Sequence, residues 1–153
     1  MALRVGDTAP DFELVDDQGE RVSLTSLQGR KVILIFFPFA FSGVCTKEFH
    51  DVKDVQDRLD AEDAEVLGIS VDSKYSLKAW KDQHGYTARF LADFEPKGDV
   101  ARKYDAFHPA GFAKRTTYVI DGEGKIAHVI DQELMEKPDP EEYLSALQAC
   151  GVA

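Results

Sequence analysis

The 153-residue chain carries 18 basic against 28 acidic residues, a formal net charge of −10, and is 44% hydrophobic; this suits a single folded domain over residues 1–153 with a core of its own. The acidic balance leaves no basic stripe to neutralise nucleic-acid phosphates or an anionic membrane, and the longest apolar run, around residues 32–37, falls far short of the roughly 20 residues of a membrane helix. The opening Met-Ala-Leu-Arg-Val-Gly-Asp lacks the apolar core of a secretory leader, and two cysteines suit redox or incidental thiols better than a disulfide scaffold, so a cytoplasmic protein is expected.

In chain order, residues 12–15 and 21–23 flank the turn-rich Asp16-Asp-Gln-Gly-Glu20, a hairpin signal. Residues 24–29 read as a short helical turn closed by Gly29. The run Lys31-Val-Ile-Leu-Ile-Phe-Phe37 is continuously apolar between turn residues, the mark of a central strand buried on both faces. From Val44 to about Leu59 the apolar residues recur every three to four positions, which predicts one amphipathic helix. A second buried strand is expected over 65–71, a helix over 76–84 ended by Gly85, a short strand over 89–92 and a short helix over 99–104. Residues 116–120 and 125–130 form a hairpin around Asp121-Gly-Glu-Gly124, and 140–150 is the closing helix, its Tyr143, Leu144 and Leu147 apolar. Residues 135–140, with two prolines and alternating charge, read as a surface loop only. Strands alternating with helices predict an α/β layer fold.

Cys45 stands where the central strand, a Pro38-led loop and the first long helix meet. A free cysteine is usually a small buried hydrophobe. A helix start, however, gathers unpaired backbone N–H groups and the positive end of the macrodipole, and a thiol held there ionises more readily. Pro38 ends the strand, Ser42 brings a hydroxyl three residues before the thiol, and Gly43 eases a tight turn.

Pro38-x-x-x-Ser42-x-x-Cys45 resembles the peroxidatic motif of the peroxiredoxins, with Ser in place of the usual Thr. The resemblance extends along nearly the whole chain. Gly6-Asp-Thr-Ala-Pro-Asp-Phe-Glu-Leu14 is similar to the family's opening, Ile69-Ser-Val-Asp-Ser73 to a core strand end, Phe90-Leu-Ala-Asp-Phe through Val100-Ala-Arg-Lys-Tyr104 to a further segment, and Arg115-Thr-Thr-Tyr-Val-Ile-Asp121 to the strand carrying the active-site arginine. The run from Phe36 to Cys45 and the missing second motif cysteine most resemble the alkyl hydroperoxide reductase E branch. The resemblance implies a thioredoxin-like α/β fold with a central mixed β-sheet flanked by helices and an N-terminal β-hairpin.

It also implies a thiol-dependent peroxidase with hydrogen peroxide, organic hydroperoxides and peroxynitrite as candidate substrates, and a homodimer or higher homo-oligomer as its assembly. Cys45 would be the nucleophile that becomes a sulfenic acid. Ser42 would hydrogen-bond thiolate or peroxide. Arg115 would supply a fixed charge and a planar fork of donors, and Pro38 would shield the pocket. Glu48, one helical turn beyond Cys45, would join the same network, and Phe37, Phe39, Phe41 and Trp80 would serve as core and pocket walls. His50, His84, His108 and His128 show no metal-ligand spacing with the cysteines, and the acidic segments lack a calcium loop, so no metal and no cofactor is expected.

Cys150 decides the mechanism class. His50 occupies one resolving position used in the family, no cysteine falls between Ser73 and His84, and a C-terminal Val-Cys-Pro is absent. Cys150 resolves Cys45 only if their Cα atoms come within about 7 Å. The expectation is therefore one working cysteine, reduced by a small thiol or by a thioredoxin- or glutaredoxin-like protein. A two-cysteine peroxidase using Cys150 and a non-catalytic thioredoxin-like binding or chaperone module are the rivals. A dithiol oxidoreductase is disfavoured because residue 48 is Glu, which breaks Cys-x-x-Cys.

Overall fold

The six residues Lys31–Phe36 (β3) form the central strand because each of its faces is apolar. Ile33 and Ile35 point into one core with Phe49, Trp80 and Phe90; Val32, Leu34 and Phe36 point into another with Leu67, Tyr104 and Tyr118. Such two-sided burial belongs to a strand covered on both faces. In this computed structural model, which describes residues 3–150, β3 pairs in parallel with Ala64–Ser70 (β4) and antiparallel with Arg115–Ile120 (β8).

The remaining strands extend the sheet on both sides. Glu13–Asp16 (β1) and Arg21–Ser23 (β2) make the N-terminal hairpin, Arg89–Ala92 (β5) joins β4 to it, and Ile126–Gln132 (β9) closes the other edge, in the order β2-β1-β5-β4-β3-β8-β9. Gly43–Asp54 (α1), Gln56–Ala61 (α2), Lys74–His84 (α3) and Pro140–Cys150 (α5) place their apolar residues in the core of Ile33 and Ile35, while Asp99–Lys103 (α4) covers the opposite face. This is the α/β layer fold that the strand–helix alternation predicts, with the mixed, helix-flanked sheet that the family resemblance implies. No helix among the described residues is long and apolar enough to cross a membrane.

Two local features depart from the expectation. The single helix predicted from Val44 to Leu59 is broken at Val55, whose backbone (φ −106°, ψ 14°) leaves the helical region. Neither glycine nor proline marks the break, and Leu59 still enters the core, so the periodicity runs through it undisturbed. The second feature is a two-residue ladder, Phe107–His108 (β6) against Phe112–Ala113 (β7), too short for any period to show.

An aromatic cluster under α1 fixes where the helix begins. Phe37 packs edge-on to Phe49 at 4.9 Å, and Phe49 edge-on to Phe90 at 4.8 Å. Gly68 of β4 makes room for those rings: a Cβ there would sit 2.7 Å from Phe90 and 2.9 Å from Phe49. Gly68→Ala is therefore expected to cost about 1–3 kcal/mol through overpacking, read as a lower urea midpoint with an unchanged slope.

Candidate active site

The buried face of α1 reads Cys45, Glu48, Phe49 and Val52, a spacing of three, four and seven that stacks thiol and carboxylate over an apolar floor. Cys45 lies in the first turn. The first intrahelical bond runs from Thr46 N–H to Ser42 O at 2.9 Å, so the N–H groups of Gly43, Val44 and Cys45 have no acceptor within the helix. The approach loop is pinned to the end of β4, where Asp72 accepts from Ala40 N–H at 2.8 Å and from the Ser70 hydroxyl at 2.6 Å. Phe41, next in the loop, sits at φ 69°, the left-handed region that a bulky residue holds only at a cost of about 1 kcal/mol or more.

Arg115 opens β8 and reaches under this turn. Its Nη2 donates to Cys45 Sγ at 3.1 Å, its Nη1 to Glu48 Oε1 at 2.9 Å and its Nε to Leu134 O at 3.0 Å. Tyr143 of α5 donates its hydroxyl to Glu48 Oε2 at 3.2 Å. All four side chains are almost wholly buried: Cys45 0%, Glu48 1%, Tyr143 1% and Arg115 3% exposed. Burial is the largest influence on Glu48 and pushes its carboxyl up to about 7, against the opposing pull of the Arg115 charge and the Tyr143 and Arg115 hydrogen bonds.

A surface hollow of about 500 Å³ opens onto this group, bounded by Pro38, Ser42, Val44, Phe112, Leu134 and Met135 and floored by Arg115. Ser42 Oγ is buried without a hydrogen-bond partner among the described residues, a donor and acceptor left free on a residue that lines the hollow. No group of three or more metal-ligating side chains occurs among the described residues.

Cys45, Ser42, Pro38, Arg115 and Glu48 are thus brought together. The aromatic residues are not. Phe37 and Trp80 lie in the core below α1, and Phe39 and Phe41 face outward at 41% and 54% exposed, so none lines the hollow. Its aromatic wall is Phe112 of the β6–β7 hairpin, backed by Phe39 at 5.3 Å. The stretch after β9, expected to be surface loop alone, supplies Met135 to the wall, and the preceding residue lends Arg115 its carbonyl acceptor.

Cys150 sits elsewhere. Its Sγ donates to Leu147 O at 3.4 Å, the carbonyl that also accepts from Lys31 Nζ at 3.2 Å. It is therefore tied to the start of β3, whereas Cys45 follows that strand's end, roughly 16 Å away at a strand's rise per residue. Burial pushes the Cys150 thiol up.

The AhpC/TSA family matches residues 5–129. The chain belongs to this peroxiredoxin family. Alkyl hydroperoxide reductase E of Mycobacterium tuberculosis is 38% identical over 149 residues, covering 96% of this chain and 97% of that one. Peroxiredoxin Bcp of Escherichia coli is 33% identical over 140 residues, 84% and 86% of the two chains. Among solved structures, Enterococcus faecalis AhpC superposes with a TM-score of 0.87 at 32% identity, covering 97% and 92%. The sheet order, with an N-terminal hairpin on a thioredoxin-like core, is the peroxiredoxin fold.

Proposed function

We propose that this peroxiredoxin reduces hydroperoxides through Cys45 and that it works with one cysteine. The observation that carries the reading is the Arg115–Cys45 contact: a guanidinium 3.1 Å from a fully buried sulfur, on a hollow also lined by Ser42, whose hydroxyl has no hydrogen-bond partner among the described residues. The Cys45 thiolate attacks the terminal peroxide oxygen, the O–O bond breaks, and the sulfur becomes a sulfenic acid while the departing oxygen takes a proton and leaves as water or an alcohol. Arg115 and Ser42, with the free N–H groups of the first turn, stabilise charge on sulfur and on the departing oxygen without reorganising. Pro38 keeps the inner end of the hollow dry.

The separation of the two thiols supports recycling by an external donor. A thiol then condenses with the sulfenic acid to give a mixed disulfide and water, and a second thiol releases Cys45. A cytoplasmic small thiol or a thioredoxin- or glutaredoxin-like protein suits this step, and a homodimer is the assembly we assign. Mixing reduced protein with one equivalent of hydrogen peroxide and trapping with dimedone tests the reading: a Cys45 adduct is expected, and a protein that consumes no peroxide would instead be a binding module.

Cys150→Ser is expected to keep full turnover with an external thiol. A Cys45–Cys150 disulfide in peroxide-treated wild type, together with stalled turnover in this variant, would replace the one-cysteine assignment by the two-cysteine one.

A further inference from the structure

Tyr143 is the one polar group of the buried network that peroxide chemistry does not require. We propose that it is a positioning residue of the peroxidase site, holding Glu48, and through Glu48 the Arg115 guanidinium, in register with the Cys45 sulfur. The proposal rests on the peroxidase reading above and adds to it a residue from the far end of the chain.

The geometry is a relay. Arg115 has three acceptors on two parts of the chain: Leu134 O after β9, and Glu48 Oε1 and Cys45 Sγ, one turn apart on α1. The middle one sets the plane of the fork, because only a carboxylate held still can fix Nη1 so that Nη2 meets the sulfur. Glu48 Oε1 is occupied by Arg115, and Oε2 has a single partner among the described residues, the Tyr143 hydroxyl. Without that hydroxyl, Oε2 would be an unpaired acceptor on a carboxylate 1% exposed, and such a group either turns away or takes up a proton.

A phenylalanine would fill the same space in the core of α5. What Tyr143 adds is one O–H, aimed at Glu48 and with Thr117 of β8 beside it. Burial, the largest influence, keeps the phenol well above its ordinary titration range, so Tyr143 remains a donor at any working pH. Its helix is independently anchored: Arg58 of α2 grips both oxygens of Glu141 at 2.6 and 2.8 Å.

The charge state of Glu48 then becomes the quantity that Tyr143 controls. The groups facing Glu48 are Arg115 from β8, Tyr143 from α5 and, along its own helix, Asp51, which is paired with Lys137, and the Cys45 thiol. Arg115 and the Tyr143 hydrogen bond favour the ionised carboxylate; burial and Asp51 oppose it. With Glu48 balanced near neutrality, losing one donor moves the population of the ion pair that orients Arg115. The sign follows: removing the hydroxyl raises the carboxyl's midpoint, so a smaller fraction is ionised at pH 7.

The test uses the reduced full-length protein as wild type, Tyr143→Phe, Glu48→Gln and the double variant. The infrared C=O band of a protonated buried carboxyl, followed against pH, needs no activity. It is expected to titrate near neutrality in wild type, to be missing in Glu48→Gln, and to move up by about one pH unit in Tyr143→Phe. Stopped-flow reaction with hydrogen peroxide should show the same displacement: the Tyr143→Phe deficit is largest below pH 7 and narrows as pH rises. In the Glu48→Gln background, Tyr143→Phe should leave the pH profile where it was.

An unmoved carboxyl band in Tyr143→Phe overturns the proposal, as does a wild-type band that does not titrate near neutrality. So does a rate loss of equal size at every pH, which would mark Tyr143 as core packing only. Failure of the peroxidase reading looks different: wild type would then consume no peroxide, while the infrared titration would still report the Tyr143–Glu48 link.

Discussion

Cys45→Ser is expected to abolish peroxide consumption while the fold persists. Serine is nearly isosteric, and its oxygen can accept from the same Arg115 Nη2 that lies 3.1 Å from sulfur. A hydroxyl so placed is nevertheless a far weaker nucleophile, because nothing at the helix start makes an alkoxide of it. Removing a nucleophile from a preorganised site costs on the order of 10⁴-fold or more in rate. Stopped-flow kinetics with hydrogen peroxide, beside circular dichroism and thermal unfolding, read both halves of the expectation. Normal turnover in the variant would take the chemistry away from Cys45 altogether.

Arg115→Ala should produce the second-largest effect, and on two observables at once. It removes a donor from the sulfur, for which a loss of about 10²–10³ in rate is typical of a preorganised site. It also strands Glu48 at 1% exposure without its counter-charge, and breaking a buried pair from one side costs about 3–5 kcal/mol. Part of that cost is relieved because Glu48, already held up near 7 mainly by burial, takes up a proton once the lowering pull of Arg115 is gone. Adding Glu48→Gln to Arg115→Ala separates the two effects: the unfolding midpoint should recover while the rate stays low. Arg115→Lys should recover only part of the rate, since a point charge cannot meet Cys45, Glu48 and the Leu134 carbonyl together. An unchanged rate in Arg115→Ala would exclude the guanidinium from the reaction.

Those elements were legible in the sequence that satisfy a local rule and a global one together. β3 is an unbroken apolar run between turn residues, and the closing helix begins at Pro140 as its pattern predicts and runs to the last described residue, Cys150. The Val55 break was hidden because the apolar spacing continues across it to Leu59. The β6–β7 pair was hidden because two residues make no period. The arrangement of Pro38, Ser42, Cys45 and Glu48 could be read because loop and helix are contiguous in sequence. Tyr143 and Leu134 could not: one enters the site by a hydroxyl on an otherwise apolar helix face, the other by a backbone carbonyl that any residue possesses. Which of the aromatic residues around Pro38 are core and which face outward could not be read, because composition does not say which rings turn inward. Phe37 does, while Phe39 and Phe41 do not.

The contacts around the Cys45 sulfur span long stretches of chain. Arg115 meets Cys45 across 70 positions, and Tyr143 meets Glu48 across 95. Loop closure over such distances is entropically costly until the intervening sheet exists, and topologies rich in distant pairings fold slowly. Peroxide reactivity is therefore expected as a late signal in refolding: α1 and its first turn can form locally, but the sulfur gains its guanidinium only after β8 has docked on β3, and Glu48 gains its phenol only after the last helix has closed.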